Sequence, residues 1–69
     1  MKKIKIKVNG KLKTINKNMS LSILIKNLKI PIKKVAIEVN EEIVNKKMLN
    51  RIILKNNDKV EIVHFIGGG

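Results

Sequence analysis

Apolar and charged residues alternate from the start of the chain. Ile4, Ile6 and Val8 take every second position, with Lys3, Lys5 and Lys7 between them. A period of two describes a strand with one buried face. Asn9-Gly10 follows, and both residues tolerate positive φ, so the pair predicts a type I′ hairpin turn. Residues 11–15 return as a second strand, with Leu12 flanked by Lys11 and Lys13. The period then changes. Leu21, Leu24, Ile25 and Leu28 stand at i, i+3, i+4 and i+7, which is one helical face, and Ile23 falls off that stripe. Ser20 suits the N-cap. Pro31 disfavours a helical backbone at Ile30 and ends the element. The helix is expected near residues 20–29.

Residues 34–39 return to a period of two, with Val35, Ile37 and Val39 on one face and Ala36 and Glu38 on the other. Asn40 to Glu42 reads as a turn and Ile43-Val44 as a short strand. Residues 45–55 fit either a helical turn or irregular chain over the core, with Met48, Leu49, Ile52 and Ile53 as its apolar contacts. Asn56-Asn57-Asp58 is a turn. Residues 59–65 form the last strand, with Val60 and Ile62 on one face and Glu61, Val63 and Phe65 on the other. Hairpin, helix, strand, short strand, strand is an α+β order. One helix covering one face of a mixed sheet buries both apolar surfaces at minimum length. The expected architecture is a β-grasp of four or five strands, with the first and last strands central and parallel. Residues 1–69 form a single domain in this reading.

Composition narrows the function classes. At 69 residues the chain holds one domain and is too short to enclose a large catalytic pocket. At 43% apolar it is not a disordered basic tail. Its longest uncharged runs, such as Asn18 to Ile25, are too short to span a bilayer. Met1-Lys2-Lys3 has no apolar stretch behind it, so no signal peptide is expected. The absence of Cys excludes a disulfide and a cysteine nucleophile, and fits a reducing compartment. A cytoplasmic location is the expectation. The net charge is +11, but Lys, Ile and Asn number 15, 13 and 9 and share A/T-rich codons. Coding bias therefore accounts for much of the lysine, and a polyanion site would more often recruit Arg.

Catalytic constellations are missing. His64 has no Cys to pair with, and Ser20 and Ser22 have no base at a telling distance. Glu41 and Glu42 fit a solvated turn, and Asp58 fits a group that binds backbone N–H in its own turn. No phosphate-binding loop or dinucleotide fingerprint is present. No resident metal or cofactor is expected. The distinctive feature is Gly67-Gly68-Gly69 directly after a strand. Glycine costs the most entropy to order, so residues 66–69 are expected to form a flexible tail. A tail without side chains fits a narrow channel in another enzyme and delivers the Gly69 carboxylate there.

The whole pattern resembles the ThiS family of sulfur carriers, within the ubiquitin-like β-grasp group. The resemblance covers essentially the full chain. It is sharpest in Val39-Asn40-Glu41-Glu42-Ile43-Val44, in Asn57-Asp58-Lys59-Val60-Glu61-Ile62-Val63, and in Phe65-Ile66-Gly67-Gly68-Gly69. Glu41 and Asn57 stand where the family commonly has Gly, and Asn45-Lys46 where it often has Pro-Arg. Of the two Gly replacements, Glu41 is the less tolerant of positive φ, so that turn is expected to differ in shape. The resemblance implies a carrier protein and not an enzyme. Gly69 would be adenylated with MgATP by an E1-like (ThiF-like) adenylyltransferase. A partner's persulfide would then displace AMP, leaving a thiocarboxylate for a ThiG-like thiazole synthase. No membrane is implied.

Within the same resemblance, Gly67 and Gly68 form the tail, and Phe65, Ile66 and Val63 are the expected partner-binding residues. The lysines of the basic sheet edge (Lys3, Lys5, Lys7, Lys11 and Lys13) would steer toward acidic partners, or simply form a solvated face. Related carriers for molybdopterin or another pathway share the fold and the Gly-Gly end. Two other readings belong to different classes. One is a basic nucleic-acid module, which lacks the aromatic stacking platforms such sites need. The other is a ubiquitin-like adaptor, which would not need Gly69.

Overall fold

In the computed structural model, which describes residues 2–65, five strands form one mixed sheet with a single α-helix across one face. The strands are β1 (Lys3–Val8), β2 (Lys11–Asn16), β3 (Val35–Val39), β4 (Glu42–Ile43) and β5 (Lys59–His64), and the helix is α1 (Leu21–Asn27). The sheet order is β2-β1-β5-β3-β4. β1 and β5 are parallel neighbours near the centre, as the sequence predicts, and the other pairs are antiparallel. The tail expected over residues 66–69 lies outside the described residues. Among the described residues no helix is long and apolar enough to cross a membrane.

Local chemistry accounts for each turn. Asn9 and Gly10 have φ of 50° and 82°, the positive values a type I′ hairpin requires, and Val8 pairs with Lys11 across them. Asn40 and Glu41 repeat the device between β3 and β4, at 52° and 72°. Glu41 therefore takes the left-handed backbone that Gly adopts freely. Ser20 caps α1, its Oγ accepting from the backbone N–H of Ile23 at 3.2 Å. The helix ends at Asn27 and not at residue 29. Lys29 takes φ of 58°, its N–H reaches the Lys26 carbonyl, and the Ile30 N–H reaches that of Ile25. This is a Schellman reversal, with Lys29 in place of the usual Gly. Pro31 comes two residues after the reversal.

The core lies between α1 and the sheet. Leu21, Leu24 and Ile25 meet Ile6, Val60, Ile37 and Val35, all buried, and Ile62 closes the set. Three sequence expectations change. Leu12 is exposed and Ile15 is the buried residue of β2, because the two-residue turn sets Leu12 opposite Lys7 and Ile15 opposite Ile4. β4 is Glu42–Ile43, one residue earlier than expected, since Val39 pairs with Glu42 directly across the turn. Residues 46–51 form a 3₁₀ segment that buries Leu49, while Met48 and Ile53 stay exposed. The chain then runs beside the helix start, where Leu21 N–H meets the Ile52 carbonyl and Leu54 N–H meets that of Met19. Leu54, absent from the expected contacts, is 2% exposed.

Candidate functional site

The site is built on the far end of β5 and on the sheet face away from α1. β5 is held on both sides. β3 pairs with it from Val39↔Val60 to Val35↔His64. On the other side β1 pairs only through Lys7↔Lys59 and Val8↔Val60, because the chain turns at Asn9. The Asn9 side chain continues where the backbone ladder stops. Its Oδ1 accepts from Ile62 N–H at 2.7 Å and its Nδ2 donates to the Ile62 carbonyl at 3.2 Å. The Phe65 N–H donates to the Lys34 carbonyl at 2.8 Å. The strand is thus tied down as far as Phe65, the last described residue. Ile66, Gly67, Gly68 and Gly69 lie outside the described residues.

The pleat decides which side chains face solvent. Val60 and Ile62 point to the core, so Glu61 and Val63 point away, and Val63 is 52% exposed. Ala36 lies opposite Val63 and is too small to cover it. Phe65 is 50% exposed, and the Lys46 ammonium sits 5.2 Å from its ring centroid, within cation–π range. The structure brings Val63 and Phe65 to one end of the outer face. It adds two residues that the sequence reading passed over, Leu12 on β2 and Ile43 on β4, both exposed. The two-residue turns fix both by register, since Leu12 falls opposite Lys7 and Ile43 opposite Glu38.

The basic edge divides. Lys3, Lys5 and Lys7 share the outer face, whereas Lys13 pairs with Ile6 and lies with Lys11 on the helix side of β2. Asp58 does what a turn carboxylate does. Its Oδ2 accepts from Lys55 N–H at 2.8 Å and its Oδ1 from Asn40 Nδ2 at 3.0 Å. Asn40 Oδ1 in turn accepts from Lys59 N–H at 3.0 Å, which fastens the β3–β4 turn to the start of β5. His64 is exposed at the end of β5, opposite Val35. Among the described residues no three His, Asp or Glu side chains group to hold a metal ion. The arrangement presents an exposed surface at the end of β5.

The model of the ThiS family matches residues 6–69. The chain belongs to the ThiS family. Its β-grasp closely follows the crystal structure of a thiamine biosynthesis protein (ThiS) from Geobacter metallireducens, with a TM-score of 0.84 and 29% identity. That likeness covers 96% of this chain and all of the other. The sulfur carrier protein ThiS of Bacillus subtilis (strain 168) is 46% identical over 37 residues, 54% of this chain and 56% of that one. A thiazole synthase of Paramagnetospirillum magneticum is 38% identical over 66 residues, 96% of this chain. The chain spans only 20% of the length of that synthase.

Proposed function

We propose that this protein carries sulfur on its Gly69 carboxylate for thiazole formation in thiamin synthesis, as a co-substrate and not as a catalyst. The observation that carries the reading is the family match, which runs on past the folded strand through Gly69. A carboxylate is a poor acyl donor until activated. In the proposed cycle one Gly69 oxygen attacks the α-phosphorus of MgATP in an E1-like, ThiF-like adenylyltransferase, and pyrophosphate leaves. The terminal sulfur of a partner's persulfide then attacks the acyl carbon of the adenylate and displaces AMP. A second thiol cleaves the resulting acyl disulfide, is oxidised to the new disulfide, and releases the thiocarboxylate. The thiocarboxylate sulfur passes to a ThiG-like thiazole synthase. The match of this chain to 66 residues of a thiazole synthase supports that recipient.

Each part of the chain has a task in this cycle. Gly67 and Gly68 carry no side chain to obstruct entry into the adenylyltransferase. Val63, Phe65 and Ile66 anchor the carrier on that enzyme, beside the point where the tail leaves. No internal Cys competes for the activated acyl group. ATP–pyrophosphate exchange with an E1-like adenylyltransferase tests the reading. Exchange is expected with the full chain and is lost when Gly69 is deleted, with the melting temperature unchanged. Exchange that persists without Gly69 refutes it.

A further inference from the structure

The outer face of the sheet carries lysines on its β1 side and acids on its β3 side, and the two groups meet on β5 at Lys59 and Glu61. On β1 the pleat turns Lys3, Lys5 and Lys7 outward while Ile4 and Ile6 face the core. Lys59 of β5 lies beside Lys7 in the parallel register. Lys5, Lys7 and Lys59 line, with Leu12 and Asn57, a hollow of about 210 Å³ on this face. Further across, the β3–β5 ladder sets Glu38 directly opposite Glu61. Two strand spacings separate Lys7 from Glu38, roughly 10 Å. Leu12, Ile43 and Val63 supply exposed apolar surface around both groups.

Coding bias explains lysine on a tolerant surface but not this pair of acids. The chain has 16 cationic residues and 5 acidic ones, yet two of the five face each other across a ladder. Like charges opposite one another destabilise a sheet, and Lys at either position would relieve the pair. We propose that this split orients the carrier on the adenylyltransferase. Carboxylates of the enzyme enter the hollow among Lys5, Lys7 and Lys59, and a cationic side chain of the enzyme meets Glu38 and Glu61. Leu12 on β2 and Ile43 on β4 pack at the two sheet edges that flank these contacts, and Val63 packs on β5 beyond Glu61. The inference rests on the carrier reading above and adds which sign of charge the enzyme presents at which strand. The exposed apolar residues fit a protein surface, whereas a nucleic acid would meet Glu38 and Glu61 with like charge. A uniformly acidic enzyme surface fails in the same way. Turning the enzyme by half a turn sets like charge on like, and this fixes the docking register.

The test is the carrier KM in ATP–pyrophosphate exchange with the adenylyltransferase of the same organism. K5E/K7E, E38K/E61K and the combined four-site swap are compared with the wild type. The swap removes four charges and adds four, so the net charge stays at +11. Each double variant is expected to raise KM at least about tenfold with kcat within about twofold, and the swap to raise it most. Melting curves check that the variants fold, and E38Q/E61Q, expected to give an intermediate rise, replaces E38K/E61K if that variant does not. A KM for E38K/E61K or E38Q/E61Q that equals or falls below the wild-type value overturns the proposal and leaves net charge as the only electrostatic effect. A wild type that supports no exchange, with the enzyme shown active on another carrier, overturns the carrier reading and this inference with it.

Discussion

Asn9→Gly separates the turn from the clamp. Gly accepts the φ of 50° at this position, so the hairpin backbone survives the change. What disappears is the side-chain amide that bonds Ile62 twice, at 2.7 and 3.2 Å. A typical net hydrogen bond contributes about 1 kcal/mol, and a donor left without a partner costs about 1–3 kcal/mol. Ile62 is 7% exposed, so water reaches its N–H poorly. Greater freedom of the unfolded chain at Gly adds a few tenths to about 1 kcal/mol. Together these terms come to at least about 2 kcal/mol. For a domain of 60–100 residues, 1 kcal/mol shifts Tm by roughly 4–8 °C, so a fall of at least about 8 °C is expected by circular dichroism. Asn9→Asp keeps an acceptor for Ile62 N–H and loses the donor, so it should fall between the two. Amide exchange gives the local reading: Ile62 should lose protection in Asn9→Gly beyond what the global loss explains. A Tm within 2 °C of wild type, or unchanged Ile62 protection, would refute the clamp.

Glu41→Gly should raise Tm by roughly 4 °C, because relief of about 1–2 kcal/mol of left-handed strain outweighs about 0.5–1 kcal/mol of added chain entropy; a fall in Tm would contradict this. Leu54→Ala should cost about 3 kcal/mol in urea unfolding, since a side chain only 2% exposed leaves a cavity; a loss below about 1 kcal/mol would show that the site collapses around the smaller residue. Phe65→Ala should raise the carrier KM for adenylation about tenfold and lower Tm by less than roughly 4 °C, because the ring is half exposed. Equal losses in binding and stability would make Phe65 a core residue.

Much of the fold was legible because its signals are local. Alternation marked β1, β3 and β5, Asn9-Gly10 marked the first turn, and Leu21, Leu24, Ile25 and Leu28 marked the helix. Errors arose where the controlling contact is distant or the period is weak. Leu12 between two lysines looks like a buried strand position, but the register inherited from the turn sends it outward. Leu54 follows a 3₁₀ segment and joins the core through a bridge between Ser20 and Ile53, so no periodicity announces it. The helix stops at Asn27, and the reversal after it sits on Lys29, with no Gly to betray it. The Asn9 clamp spans 53 residues of sequence and leaves no trace in spacing. For the site, Val63 and Phe65 were visible from the phase of β5 alone. Leu12, Ile43 and the division of charge needed the register across three further strands.

If Gly69 is the sulfur-bearing end of the carrier, the intact mass of the protein shows it after incubation with MgATP, an E1-like adenylyltransferase and a persulfide source, with the Gly69 deletion alongside. Exchange of oxygen for sulfur adds about 16 mass units, close to the gain from one Met oxidation, so thioacid-selective alkylation must assign the adduct. An alkylatable adduct is expected on the C-terminal fragment of the full chain and none on the deletion. An unmodified chain, with the same enzyme loading its own carrier, would contradict that role of Gly69.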